Sequence, residues 1–262
     1  MRVLLTNNHL ERFGGTEVWV LTMARELHRR GHDVGIYTHH KGVITELLKG
    51  TCTVDDNPED YDLALINHNT CTNVGAKKKV YTCHSPFLTI EQPPAGMDVV
   101  VGVSENIERK YATDVLIKNP VDTELYKPIQ PIKDKAETFL GITDVPIPYP
   151  HIMPTRNGER MPELMNLADM VVTIGRGVLE AMSCARNVIV WDKRPAMGFT
   201  ADGYLQLENL VGNVGGRYHL QPEDFDWETE VAKYQPEHGE RNREYILKHH
   251  DVRKIVDQYL NL

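Results

Sequence analysis

The chain has 262 residues, 41% of them hydrophobic, with 29 Lys and Arg against 37 Asp and Glu and a net charge of -8. That length accommodates one large or two modest domains. The acidic balance argues against general nucleic-acid affinity, which needs a concentrated basic face to displace counterions. Four cysteines, Cys52, Cys71, Cys83 and Cys184, show no CxxC spacing, so a reducing cytoplasm is the expected setting and no zinc site is legible. With no apolar run of about 18 residues and a start that leads straight into a strand pattern, neither a transmembrane segment nor a signal peptide is expected.

Arg2 to Thr38 reads as strand, glycine loop, helix, glycine stop and strand. Val3, Leu4 and Leu5 suit a strand buried on both faces, while Val20, Met23, Ala24 and Leu27 recur at i, i+3, i+4, i+7. Between them, Gly14 and Gly15 allow close approach of a ligand to backbone, with Thr16 as the expected helix cap and the helix start as an anion seat. Asp62–Asn67, Lys79–Cys83, Met97–Val103 and Asp114–Lys118 read as further short strands. Polar residues follow them, including Asn67, His68 and Asn69, then His84 and Ser85, then Ser104, and ligands of open α/β sheets bind outside the carboxyl ends of strands. Ser104 suits either that edge or an N-cap for Glu105–Tyr111. Lys77–Lys79 reads as a solvated strand entry.

Asn119–Asp122 carries turn chemistry and marks a domain boundary. Ile129–Arg160 is proline-rich with no clear period. Order returns with a helix around Leu164, Leu167 and Ala168, a strand at Met170–Ile174, a helix at Gly177–Ala185 and a strand at Asn187–Trp191. Glu237–Leu262 reads as one or two surface helices. The expected organisation is therefore residues 1–118, 119–240 and a C-terminal helical segment 241–262.

The most specific constellation is Gly175-Arg176-Gly177 followed by Glu180. A glycine turn from strand to helix places positive groups for phosphates beside a carboxylate that accepts from hydroxyls, a pairing suited to a nucleotide sugar. The competing reading is an exposed i, i+4 ion pair worth about 0.3–0.5 kcal/mol. His84, at a strand end, can bond a substrate hydroxyl or a developing charge, or can be structural. His39, His40, His249 and His250 read as exposed pairs without metal-ligand spacing.

These segments resemble the GT-B glycosyltransferases of the retaining, GT4-like class. Phe13–Glu17 with Leu27–Val34, Val103–Glu105, Lys118–Asp122 with Leu125-Tyr126, and Leu164–Asp192 carry the match in order. The resemblance implies an α/β chain of two Rossmann-like domains facing across a cleft, the second compact, the first on the acceptor side and the second holding a nucleotide sugar. It implies a metal-independent transferase with no cofactor, whose donor is a UDP-sugar or another nucleoside diphosphate sugar and whose acceptor is an unknown carbohydrate, lipid-linked or other molecule. Carried over, Glu180 matches the second glutamate of the E-x7-E motif, which binds the donor ribose, and His84 the histidine near the reacting sugar. Gly14, Gly15, Ser104, Asn119, Gly175 and Gly177 fall in the binding segments. The first glutamate is absent, Val172 standing in its place, and Arg156, Arg160 and Arg176 are the candidates for the diphosphate clamp, a role that no motif assigns. A noncatalytic nucleotide-sugar or glycan-binding protein and a nucleic-acid base glycosyltransferase are the rival expectations.

Overall fold

A computed structural model describes residues 1–143, 146–152, 154, 160–194, 198–209 and 225–262. It divides into two compact units, Met1–Pro120 with Val252–Leu262, and Val121–Asp251.

In the first unit the chain runs β1 (Arg2–Thr6), α1 (Gly15–Arg29), β2 (Asp33–Tyr37), α2 (Val43–Leu47), β3 (Thr53–Val54), β4 (Tyr61–Ile66), β5 (Ala76–Cys83), β6 (Val99–Gly102), α3 (Glu105–Tyr111) and β7 (Val115–Leu116). The seven strands form one sheet in the order β3-β2-β1-β4-β5-β6-β7, paired in parallel throughout. Alternate residues of one strand enter different cores: Val3 and Leu5 join one cluster with α1, and Leu4 joins the other with Ile107 of α3. Burial on both faces is why these strands read as continuous apolar runs. The helix stop at Gly31 adopts φ 81°, the left-handed conformation that glycine tolerates.

In the second unit follow β8 (Phe139–Gly141), β9 (His151–Ile152), α4 (Met161–Leu167), β10 (Met170–Thr173), α5 (Arg176–Ser183), β11 (Asn187–Arg194), β12 (Gly198–Tyr204), α6 (Trp227–Ala232) and α7 (Pro236–His249). The sheet order is β12-β11-β10-β8-β9, with only β12 antiparallel. The proline-rich stretch, which showed no period, contributes β8 and β9; strands of three and two residues are too short to leave one. α7 lies close to the end of α5, since a Cβ on Gly239 would stand 2.3 Å from the Ala185 carbonyl oxygen.

The final helix, α8 (Val252–Leu260), belongs to the first unit. Val252, Ile255, Val256 and Tyr259 form its buried stripe and pack in the α1 core, with the Tyr259 and Trp19 rings edge to face at 5.6 Å. This corrects two expectations. α8 is a core element rather than a surface helix, and a boundary at 240 would cut α7, whereas the chain changes unit at Asp251–Val252. Among the described residues no helix is long and apolar enough to cross a membrane.

Candidate functional site

Each sheet has one place where the chain turns from building outward on one side to building on the other, and the carboxyl ends of the strands flanking it form the natural ligand crevice. In the second unit that place lies between β8 and β10, because β9 continues one way and β11 the other. β10 ends at Thr173, and Gly175 turns the chain with φ 65° before Arg176 opens α5. Gly177 is required by packing, since a Cβ there would stand 2.4 Å from the Thr173 hydroxyl.

Arg176 and Glu180 face each other one helical turn apart, Nη2 to Oε1 at 3.4 Å, with side chains only 11% and 9% exposed. The competing reading of an exposed surface pair is thus corrected: the pair is buried. At 3.4 Å the contact is an ion pair, and all three guanidinium nitrogens lack a hydrogen-bond partner of good geometry among the described residues. Such donors are costly unless a ligand takes them up. Burial pushes the Glu180 carboxyl above its ordinary range, opposed by Arg176 and by a hydrogen bond from Tyr126. The Tyr126 hydroxyl is itself raised well above 10.0 by burial and by the neighbouring Glu180 charge.

Tyr126 belongs to the quoted hinge segment but was given no role by the sequence. Its loop is fixed by Arg243 of α7, which donates to the carbonyls of Tyr126 at 2.7 Å, Ser183 at 2.8 Å and Thr123 at 2.9 Å. Arg243 sits in a charged helix with nothing in its neighbourhood to mark it. Val172 is fully buried in β10, so no carboxylate replaces the missing first glutamate at that position. Of the other clamp candidates, Arg160 is an exposed residue paired with Glu163 at 3.3 Å, and Arg156 lies outside the described residues.

In the first unit the corresponding place lies between β1 and β4, where Asn7 follows one strand and Asn67 the other. Gly14, with φ -153°, is the N-cap of α1, not Thr16, whose hydroxyl instead donates to Glu17 at 3.1 Å. The Glu17 carboxylate folds back to within 2.4 Å of where a Gly14 Cβ would sit. The chain's own carboxylate therefore occupies part of the expected anion seat, while a Cβ on Gly15 would meet nothing within 4 Å. His84 lies 3.0 Å through Nε2 from Asn67 Oδ1 and edge-on to Trp19 at 5.6 Å. Ser104 is the N-cap of α3 by backbone geometry, but its buried hydroxyl makes no cap bond and has no hydrogen-bond partner among the described residues. The same is true of Asn67 Nδ2 and Glu91 Oε2. Asn119, half-buried, follows β7 at the end of this unit. Lys77 pairs with Asp62 at 2.7 Å, in keeping with a solvated strand entry. Of the histidine pairs, His39 and His40 are exposed, but His250 is buried, its carbonyl accepting from Val121 N–H at 2.7 Å.

His68 and Glu91 form a buried pair that no spacing in the chain marks, Nε2 to Oε1 at 3.9 Å. The Asn8 N–H donates to His68 Nδ1 at 3.0 Å, so a neutral ring carries its proton on Nε2, toward Glu91. Burial, then Glu17, pushes Glu91 from 4.5 up to about 7; burial, then His9, pushes His68 from 6.5 down to about 4. Each displacement corresponds to about 3 kcal/mol. Between pH 4.5 and about 7 the folded protein keeps a Glu91 proton that the unfolded chain has released, so this contribution falls as pH rises. Between about pH 4 and 6.5 the unfolded chain holds a His68 proton that the folded protein refuses, so that contribution rises. The two oppose each other in the native protein. Glu91→Gln removes the falling part, so the variant should gain about 3 kcal/mol on the native protein between pH 5 and 8. Urea denaturation in chelator-containing buffer measures this, and parallel profiles would refute it.

No protein-family model and no curated protein matches the sequence. Among solved structures, the chain is similar to Anabaena HepE, crystallised in complex with UDP and glucose. The TM-score is 0.61 and the identity 14%, over 100% of this chain and 98% of that one. It is also similar to AviGT4, a glycosyltransferase involved in avilamycin A biosynthesis, with TM-score 0.58 and 14% identity over 99% and 96% of the two chains. At this identity the likeness concerns the fold, and in its two parallel-sheet units the chain has the GT-B fold.

Proposed function

We propose that the protein is a glycosyltransferase that moves a sugar from a nucleoside diphosphate sugar, UDP being the expected nucleotide, to an acceptor hydroxyl. The observation that carries this reading is the buried Arg176–Glu180 pair at the turning point of the second sheet, with guanidinium N–H groups that lack hydrogen-bond partners among the described residues. Glu180 accepts from the ribose hydroxyls. Arg176, with the start of α5 and the Gly175 and Gly177 backbone beside it, takes the diphosphate and stabilises the charge that develops as it leaves, the effect that usually contributes most to such reactions. The acceptor is assigned to the first unit, with His84 beside the reacting sugar and Gly14, Gly15, Ser104 and Asn119 along the binding surface. Retention of configuration without a metal in the transfer step follows the GT4-like resemblance, and a cytoplasmic setting follows the four cysteines without CxxC spacing.

The buried hydroxyl, amide and carboxyl groups of Ser104, Asn67 and Glu91 suit an uncharged, hydroxyl-rich acceptor, because each can exchange a hydrogen bond with a hydroxyl. Val172 in place of the first glutamate favours a second reading, a nucleotide-sugar-binding protein without turnover.

A thermal-shift screen with UDP, UDP-glucose, GDP and GDP-mannose, followed by an assay of sugar release, tests both. A ligand at 100 times its Kd should stabilise the protein by about 2.7 kcal/mol. Stabilisation by one nucleotide class together with sugar release supports the transferase, stabilisation alone supports the binding protein, and no stabilisation refutes both.

A further inference from the structure

Three side chains remote in function from the Arg176–Glu180 pair converge where β1 and β2 end. His9 follows β1 and His40 follows β2, and a parallel bridge pairs the two residues. The Leu10 N–H donates to the His40 carbonyl at 2.8 Å and the His40 N–H to the Asn8 carbonyl at 3.1 Å. Both histidine backbones are thereby held, and their rings stack with centroids 4.8 Å apart and planes inclined by 22°.

Glu11 completes the group. Its Oε2 lies 3.7 Å from His9 Nδ1, and one ligand atom from each of the three residues lies within 4.8 Å of the other two. The Glu11 backbone is held as firmly: its carbonyl accepts from Val43 N–H at 3.3 Å, Ile44 N–H donates to the Leu10 carbonyl at 3.1 Å, and a Cβ on Gly42 would stand 2.4 Å from Glu11 Cα. Only side-chain torsions remain to be adjusted. Ligand atoms bonded tetrahedrally at about 2.1 Å to one ion lie about 3.4 Å apart, a contraction within reach of those torsions. His9 is half-buried, Glu11 and His40 are exposed, so an ion and its water have access.

His9 Nε2 lies 2.7 Å from the Asn8 side-chain amide nitrogen, which donates to it, and the Asn8 amide oxygen accepts from the Thr70 hydroxyl at 2.8 Å. That arrangement keeps the proton of a neutral His9 ring on Nδ1, toward Glu11. Turning the Asn8 amide over gives its nitrogen to the Thr70 hydroxyl and its oxygen to an Nε2–H, which frees Nδ1 for an ion and supplies the outer acceptor that a metal-ligating histidine uses.

We propose that His9, Glu11 and His40 form a binding site for one divalent ion of the zinc class, completed by water. Two imidazoles and one carboxylate are a nitrogen-rich, borderline donor set that suits Zn2+ and its neighbours, whereas Mg2+ and Ca2+ require oxygen ligands. Spacing alone could not show the site, because 30 residues separate the histidines and only the pairing of two strand ends joins them. The inference concerns the first unit and does not depend on the transfer reaction.

The full chain, stripped of metal by chelator dialysis, would be titrated with ZnCl2 by calorimetry and with CoCl2 by visible absorption. One equivalent of each should bind, with a d–d band for Co2+ and no heat from MgCl2. Loss of a ligand in His40→Ala or in the isosteric Glu11→Gln should weaken Zn2+ at least about 10-fold, the lower end of what loss of even an outer partner costs. His249→Ala should bind as the native protein does. Failure to bind Zn2+, or unaltered affinity in both His40→Ala and Glu11→Gln with native circular dichroism, would overturn the assignment.

Discussion

Glu180→Ala should abolish stabilisation by the donor nucleotide and lower sugar transfer by about 10²- to 10³-fold, the scale on which removing one preorganised charged contact acts. The same change leaves Arg176 buried without its ion-pair partner, which costs stability by about 3–5 kcal/mol. Loss of activity alone would therefore confuse a donor site with a folding defect. The double variant Arg176→Met with Glu180→Leu separates them. Replacing a buried ion pair by apolar groups of similar volume is often neutral or stabilising, offset here by about 1–3 kcal/mol for leaving the Tyr126 hydroxyl without Glu180, so this protein should stay folded, more stable than Glu180→Ala, and yet respond to no nucleotide. A double variant that still shifts with UDP would remove the donor site from α5. Glu180→Gln should fall between, because an amide oxygen still accepts from a hydroxyl and from Tyr126 but no longer offsets the guanidinium charge.

Tyr259→Ala is expected to destabilise the first unit by about 3–5 kcal/mol, a large part of the 5–15 kcal/mol that holds a typical domain together. Tyr259 is 1% exposed, packs edge-on to Trp19 and shares a hydrogen bond with the Thr82 hydroxyl at 3.1 Å. Truncation removes the ring from the centre of the core around α1 and leaves the Thr82 hydroxyl without that partner. Tyr259→Phe keeps the ring and should cost only about 1 kcal/mol. Guanidinium denaturation followed by Trp19-sensitive fluorescence would show the two values, and an unchanged midpoint for Tyr259→Ala would refute the placement of α8 in this core.

The local order of the chain was legible wherever an element was long enough to impose a period. β1, α1 and β2 follow from Val3–Leu5, from the i, i+3, i+4, i+7 stripe of α1 and from Gly31. The Gly175–Glu180 turn into α5 was equally plain, because a strand, a glycine and a helix start occur within a dozen residues. β8 and β9 were not visible, being too short to carry a pattern. α8 showed its apolar stripe, but a stripe does not say which unit it covers, and its partners Trp19 and Thr82 lie far earlier in the chain.

The sequence by itself determined the α/β class, the order of the main elements and the position of Arg176 and Glu180 on one helical turn, because these depend on contacts between near neighbours. Tertiary structure decided that the Arg176–Glu180 pair is buried rather than solvated, that Glu17 fills part of the glycine-loop seat, and that His68 meets Glu91 while His9 and Glu11 meet His40. Those outcomes depend on which strand ends lie side by side and on how much water the packing excludes. Neither is encoded in any local window, and both set the charge and hydrogen-bonding state on which the chemistry rests.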